Sequence, residues 1–206
     1  MRILGIDEAG RGPVIGPLVI CGIVVRDELL LELKRRGVKD SKLLSPQKRQ
    51  KLKGVIESIS KEYQLIYLSP KIIDQYIINY LELKAIVKLI DKFSPDKVFI
   101  DAPTRWCANY KRKIKHLLTF KDVQLIVENF ADVNYSVVSA ASILAKVARD
   151  EKIKKLSKKY GPLGSGYPSD EKTIAFLKEC IRLKGEFPEI VRKKWKTAKR
   201  ILEKNG

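Results

Sequence analysis

The 206-residue chain contains a single histidine, His116, and three widely spaced cysteines, Cys21, Cys107 and Cys180, with no CxxC pair. That scarcity excludes a structural zinc site built from Cys and His, and free thiols in a reducing compartment are expected. No apolar run approaches the roughly 20 residues that a bilayer crossing needs. The longest, PLVICGIVV over residues 17–25, reads as a strand buried on both faces. No signal-peptide pattern precedes the first strand, so a cytoplasmic protein with no membrane attachment is expected. Internal repeats, low-complexity tracts and long linkers are also missing.

Negative charge is the other shortage: 24 acidic residues face 42 basic ones, for a net charge of +18. Such an excess points to a polyanionic partner, because each phosphate neutralised releases condensed counterions, but it does not say which polyanion. Residues 151–206 hold 16 basic and 7 acidic side chains, so half the surplus sits in the last quarter of the chain. The hydrophobic content of 45% is ordinary for a folded protein, and the length suits one substantial domain with or without an extension.

Periodicity predicts strands at 2–7, 17–25, 63–69, 97–101 and 122–128. Ser45-Pro46 predicts a helix start, with serine as cap and proline in the first turn, running to about Lys61. Asn79 with Glu82 suggests a capping pair for a helix to Phe93, and a further helix is expected at 109–118. One long helix covers 136–160, GPLGSGYP (161–168) breaks it, and Ser169 is expected to cap a helix to Leu183. A last basic helix is expected at 192–204. The first part thus mixes strands and helices around one sheet, and the last is helical and basic.

Acidic residues sit at two strand ends, Asp7 with Glu8 and Asp101, and Asp132 lies just before the long helix. Side chains leaving the ends of neighbouring strands of an α/β sheet converge on a common crevice. Carboxylates gathered there repel one another unless a cation holds them, and all-oxygen donors suit Mg²⁺ or Mn²⁺. Two such ions about 3.5–4 Å apart would serve both oxygens of an in-line phosphoryl displacement. Taken singly, each carboxylate also fits a solvated turn, a helix cap or a salt bridge. Between Asp7-Glu8 and Pro17, Gly10 and Gly12 flank Arg11. Such a turn lets backbone groups approach a sugar–phosphate closely, although a tight hairpin would need glycine as well.

The segments DEAGRGPVIGP (7–17), VKDSKLLSP (38–46), FID (99–101), AD (131–132), VVSAASILAKVARD (137–150), GSGYPSD (164–170) and RKKWKT (192–197) follow one another in this order. Together they resemble the motifs of the type 2 ribonuclease H family, ribonuclease HII, in its archaeal form, and they span nearly the whole chain. The resemblance implies a ribonuclease H-like fold, with a mixed central β-sheet flanked by helices. It implies a catalytic domain at 1–160 and a basic helical extension at 161–206 packed on it. It implies an endoribonuclease that hydrolyses the RNA strand of RNA–DNA hybrids, and cuts at ribonucleotides embedded in duplex DNA, by two-metal catalysis with Mg²⁺ or Mn²⁺. The ends left would be 5′-phosphate and 3′-hydroxyl, in keeping with the lack of a histidine pair for metal-free chemistry.

By the same resemblance, Asp7, Glu8, Asp101 and Asp132 are the catalytic metal ligands. Gly10, Arg11, Gly12 and Tyr167 read the ribose 2′-hydroxyl, the group that separates RNA from DNA. Lys42, Ser139 and Lys146 contact phosphate. Small-residue packing is the competing role for Ser139 and Ser142, and an i,i+4 pair with Asp150 for Lys146. Two departures stand out: Asn129-Phe130 replaces the family's frequent His-Lys pair before Asp132, and the chain ends ILEKNG, without a sliding-clamp peptide. A monomer is expected. His116 reads as surface or helix packing, and Trp106 and Trp195 as partly buried anchors. Two other readings remain: a nucleic-acid binder without activity, and another nuclease on the same fold, such as a junction resolvase or exonuclease. Acids at a sheet edge repel phosphate and argue against a pure binder, and the Gly-Arg-Gly turn with Tyr167 separates the two nucleases.

Overall fold

The computed structural model describes residues 1–39, 44–119 and 122–205. Its sheet is built from β1 (Arg2–Ala9), β2 (Leu18–Arg26), β3 (Tyr63–Leu68), β4 (Lys97–Asp101) and β5 (Gln124–Glu128), in the order β3-β2-β1-β4-β5. β4 runs parallel to both β1 and β5, so three strands deliver their C-terminal ends to one edge. This is the expected mixed sheet flanked by helices. In β2 every residue from Leu18 to Val25 is buried, as its unbroken apolar run predicts.

The helices are α1 (Leu30–Arg35), α2 (Pro46–Ile59), α3 (Pro70–Gln75), α4 (Ile78–Phe93), α5 (Cys107–Leu117), α6 (Ala131–Asn134), α7 (Ser136–Tyr160), α8 (Glu171–Lys184) and α9 (Lys196–Asn205). The Ser45 cap is present, accepting from the Lys48 N–H at 3.2 Å with Pro46 in the first turn. Other helix starts differ from expectation. α4 begins at Ile78, which puts Asn79 inside the helix rather than at its cap. The cap of α8 is Asp170, not Ser169: its carboxylate accepts from the Lys172 N–H at 2.9 Å and also from Ser165 N–H. α9 starts four residues late because the chain at 188–195 is used otherwise, with Val191 bridging to Ile15. Among the described residues no helix is long and apolar enough to cross a membrane.

Packing divides the chain into two units, and not by a single cut at residue 160. The first comprises Met1–Ala9, Ile20–Ile66 and Asn79–Val147. Its core includes Leu4, Ile6, Ile20, Ile23, Leu89, Ile90 and Ile100, all fully buried. Gly5 is required there: a Cβ would run into the Val137 carbonyl, so its absence lets the start of α7 lie against β1. The second unit comprises Gly10–Val19, Tyr67–Ile78 and Ala148–Gly206, with a core of Val14, Ile15, Leu163, Leu177, Phe187, Val191 and Ala198.

Candidate active site

The strand register places the first two carboxylates. Ile6 of β1 pairs with Ile100 of β4, so Asp7 and Asp101 are the next residues on neighbouring parallel strands and share a face. Asp7 is 5% exposed. Burial pushes its carboxyl up to about 6, and the charge of Asp101 adds to the rise. The positive charge of Lys146, a hydrogen bond from Ser142 and the Glu8 N–H, which donates at 2.7 Å, all pull the other way. Lys146 Nζ also donates to Ser142 Oγ at 2.5 Å. The close approach of α7 at Gly5 is what brings Ser142 and Lys146 to Asp7. Lys146 thus lies within electrostatic reach of Asp7, and Asp150 lies 3.6 Å from Arg149. The same carboxylate, after burial itself, helps keep the buried Cys21 thiol protonated.

Asp132 reaches the neighbourhood by another route. Phe130 takes a left-handed conformation, with φ 61°, after β5, and turns the chain into α6. The Ala131 N–H then donates to Asp101 Oδ1 at 2.9 Å, so the helix carrying Asp132 is fastened to the β4 carboxylate. Asp132 is fully buried. Glu8 follows Asp7 near the end of β1 and is half-buried. Among the described residues no three Asp, Glu, Cys or His side chains are grouped closely enough to hold an ion. The donor chemistry still fits a hard dication: two carboxylates share one face, one of them is buried, and their mutual repulsion is what a cation relieves.

The second group of predicted residues belongs to the second unit. Gly10 has φ +93°, and a Cβ there would stand 2.7 Å from both Arg149 Cδ and the Pro17 carbonyl. Fully buried Arg192 holds the turn, donating to the carbonyls of Gly16 (3.1 Å), Arg11 (2.9 Å) and Gly10 (2.5 Å). Trp195 Nε1 donates to the Gly12 carbonyl at 3.2 Å, so this tryptophan is the half-buried anchor expected. Tyr167 is 40% exposed, and Arg149 stacks on its ring at 5.0 Å. The loop that presents Tyr167 is tightly bonded: Thr173 Oγ1 donates to the Leu163 carbonyl at 2.9 Å and accepts from the Gly166 N–H at 3.0 Å, while Arg149 donates to the Ser165 carbonyl at 2.9 Å. The Val14 N–H donates to the Gly166 carbonyl at 2.8 Å, joining this loop to the chain beyond the glycine turn. A ring edge carbon of Tyr167 would lie 3.7 Å from a Cβ at Gly12.

One expectation cannot be compared with the structure, and two look different in it. Lys42 lies outside the described residues. Ser139 is fully buried and its hydroxyl has no hydrogen-bond partner among them, which favours the packing role over a phosphate contact. Trp106 is not an anchor: it is 65% exposed. Sequence reasoning missed Ser142, read as a packing residue, and the two inward-turned arginines Arg149 and Arg192. Nothing in a count of basic residues separates these from solvated ones. It also missed Asn129, which the departure from the family's pattern had flagged without assigning it a contact.

The sheet order and the parallel strand ends are those of a ribonuclease H-like protein. The sequence profile of the family described as Ribonuclease HII matches residues 4–198. A ribonuclease HII of Thermococcus onnurineus is 47% identical, over 99% of this chain and 91% of its own length. The crystal structure of ribonuclease H2 from Pyrococcus horikoshii OT3 aligns with a TM-score of 0.93 at 42% identity, covering 100% of this chain and 99% of that one. The RNase HII of Archaeoglobus fulgidus, solved in complex with PCNA, aligns with a TM-score of 0.87 at 36% identity, covering 97% and 96% of the two chains. The chain belongs to the ribonuclease HII family.

Proposed function

We propose that this protein is an endoribonuclease that hydrolyses the RNA strand of RNA–DNA hybrids and also cuts at ribonucleotides embedded in duplex DNA. The observation that carries the reading is the Asp7–Asp101 pair on neighbouring strands, with Lys146 within electrostatic reach of Asp7, in a chain of this family. Asp7, Glu8, Asp101 and Asp132 would hold divalent Mg²⁺ or Mn²⁺, two ions when substrate is bound. When bound, such ions lower the pKa of water and offset charge on the leaving oxygen, which gives 5′-phosphate and 3′-hydroxyl ends.

The remaining residues bind and orient. Lys146, and Lys42 by family resemblance, supply positive charge to backbone phosphates. Arg192 and Trp195 occupy the carbonyls of Gly10, Arg11 and Gly12. Gly10, Arg11 and Gly12 are the residues assigned to the 2′-hydroxyl, the group that separates RNA from DNA. Tyr167 adds a ring to pack on the sugar and an O–H to bond. In the sequence, only Glu8 and Ala9 separate Asp7 from Gly10.

The test offers labelled RNA–DNA hybrid, duplex DNA, duplex RNA and DNA containing one ribonucleotide, each with Mg²⁺ or Mn²⁺, and maps the ends. Cuts confined to the RNA strand and to the ribonucleotide are expected. Cutting of plain duplex DNA would favour another nuclease on this fold.

A further inference from the structure

We infer that Arg105 and Trp106, on the loop after β4, form a nucleotide-contact site that adds to the carboxylate machinery; this rests on the nuclease reading above. The loop begins directly beyond Asp101. It carries Trp106 at 65% exposure, with the Arg105 guanidinium 5.2 Å from the centre of its ring. The pair offers a flat apolar ring and a fixed positive charge side by side.

The loop is held in shape rather than left loose. Asn129 Nδ2 donates to the carbonyls of Ala102 and Thr104, each at 3.0 Å. Its Oδ1 accepts from the Cys107 thiol at 3.4 Å. The Trp106 N–H donates to Thr104 Oγ1 at 3.2 Å, and the Ala102 N–H to the Glu128 carbonyl at 2.8 Å. Asn129 thus ties the loop to the end of β5, beside the segment that carries Asp132. Phe130, the next residue, is 67% exposed. Two exposed aromatics therefore flank the ends of the two strands that position Asp101 and Asp132.

Charge selects the occupant. Trp106 leads into α5, CANYKRKIKHL, which has four Lys or Arg and no acidic residue. An exposed ring beside a guanidinium, heading a helix with four cations and no acid, suits a nucleic-acid strand: the flat face packs on a base or sugar and the cations meet phosphates. A protein partner of acidic character would meet the same cations, but it would gain nothing from a site adjoining the carboxylates. The contact is assigned to a nucleotide of the hybrid near the scissile phosphate.

The chain has two tryptophans, so Trp106→Phe leaves Trp195 as the only indole reporter. The experiment titrates the full-length protein with a short RNA–DNA hybrid in chelator, which prevents cutting, and follows both tryptophan fluorescence and affinity. Wild type is expected to lose emission on binding, and most of that change should vanish in Trp106→Phe. Trp106→Ala should weaken binding roughly ten-fold, while Trp106→Phe, which keeps a ring, stays within about three-fold of wild type. If the wild type binds and cuts hybrid while Trp106→Ala binds equally well, this inference fails and the nuclease reading stands. If the wild type neither binds nor cuts hybrid, both fail. An affinity loss for an acidic peptide, with none for hybrid, would reassign the site to a protein partner.

Discussion

Arg192 donates a hydrogen bond to the carbonyl of Gly10 at 2.5 Å, across 182 positions of sequence. The same guanidinium serves Arg11 and Gly16, and it is fully buried. The planar fork of arginine can meet several carbonyls at once, which a lysine ammonium cannot do with the same geometry. Arg192→Ala would leave buried carbonyls without their charged donor, at a cost of about 2–4 kcal/mol. Arg192→Lys should recover only part of it. Urea unfolding of the three proteins checks this, and a near-wild-type Arg192→Ala would show that the turn does not depend on the arginine.

Gly10→Ala tests the turn itself. The substitution meets both a φ of +93° and contacts of 2.7 Å with Arg149 Cδ and the Pro17 carbonyl. A loss of about 1–3 kcal/mol in stability is expected, the range for a strained backbone position. Gly37→Ala, also at positive φ but with nothing within 4 Å, should cost less. Equal losses at the two sites would mean that the contacts around Gly10 carry no weight.

These arginines show where the sequence stops being legible. The strands announce themselves by β-branched apolar runs, and the parallel register of β1 with β4 then fixes Asp7 beside Asp101. Ser45-Pro46 marks the start of α2 because one serine oxygen and one proline ring do the whole job locally. By contrast, Arg149 and Arg192 look like any other cations in a chain with a +18 charge, and only tertiary packing turns them inward. α1, α3 and α6 are four to six residues long, too short for helical periodicity to show. Ser169 and Asp170 are both good caps, and the choice between them is made by the Ser165 N–H, which bonds the aspartate.

Asp170 gives a pH signature. Hydrogen bonds from Ser165 come first among the causes that hold its carboxyl down at about 2. A depressed folded-state pKa means stability that is fully present above the unfolded value, near pH 4, and is lost as pH falls toward 2. The thermal midpoint of Asp170→Ala should therefore lie below that of wild type by a constant amount above pH 4. The gap should close as the pH approaches 2. A gap that persists undiminished at pH 2 would contradict the bonded carboxylate.

Asn129→Ala should loosen the loop that carries Trp106, removing two donors to the carbonyls of Ala102 and Thr104. A loss of about 1–2 kcal/mol in stability is expected, together with faster amide exchange in residues 102–107. Exchange unchanged in that loop would show that Asn129 does not fix it.

The most direct test of the catalytic assignment compares RNA-strand cleavage and hybrid binding for wild type, Asp7→Asn and Asp101→Asn, with Mg²⁺ or Mn²⁺ present for the cutting assay. Each substitution removes a carboxylate charge, and removing negative charge cannot weaken phosphate attraction electrostatically. The account predicts cleavage that disappears in excess chelator, is nearly abolished in both variants, and is accompanied by hybrid affinity close to wild type. Turnover near the wild-type rate in either variant, or full activity in chelator, would contradict it.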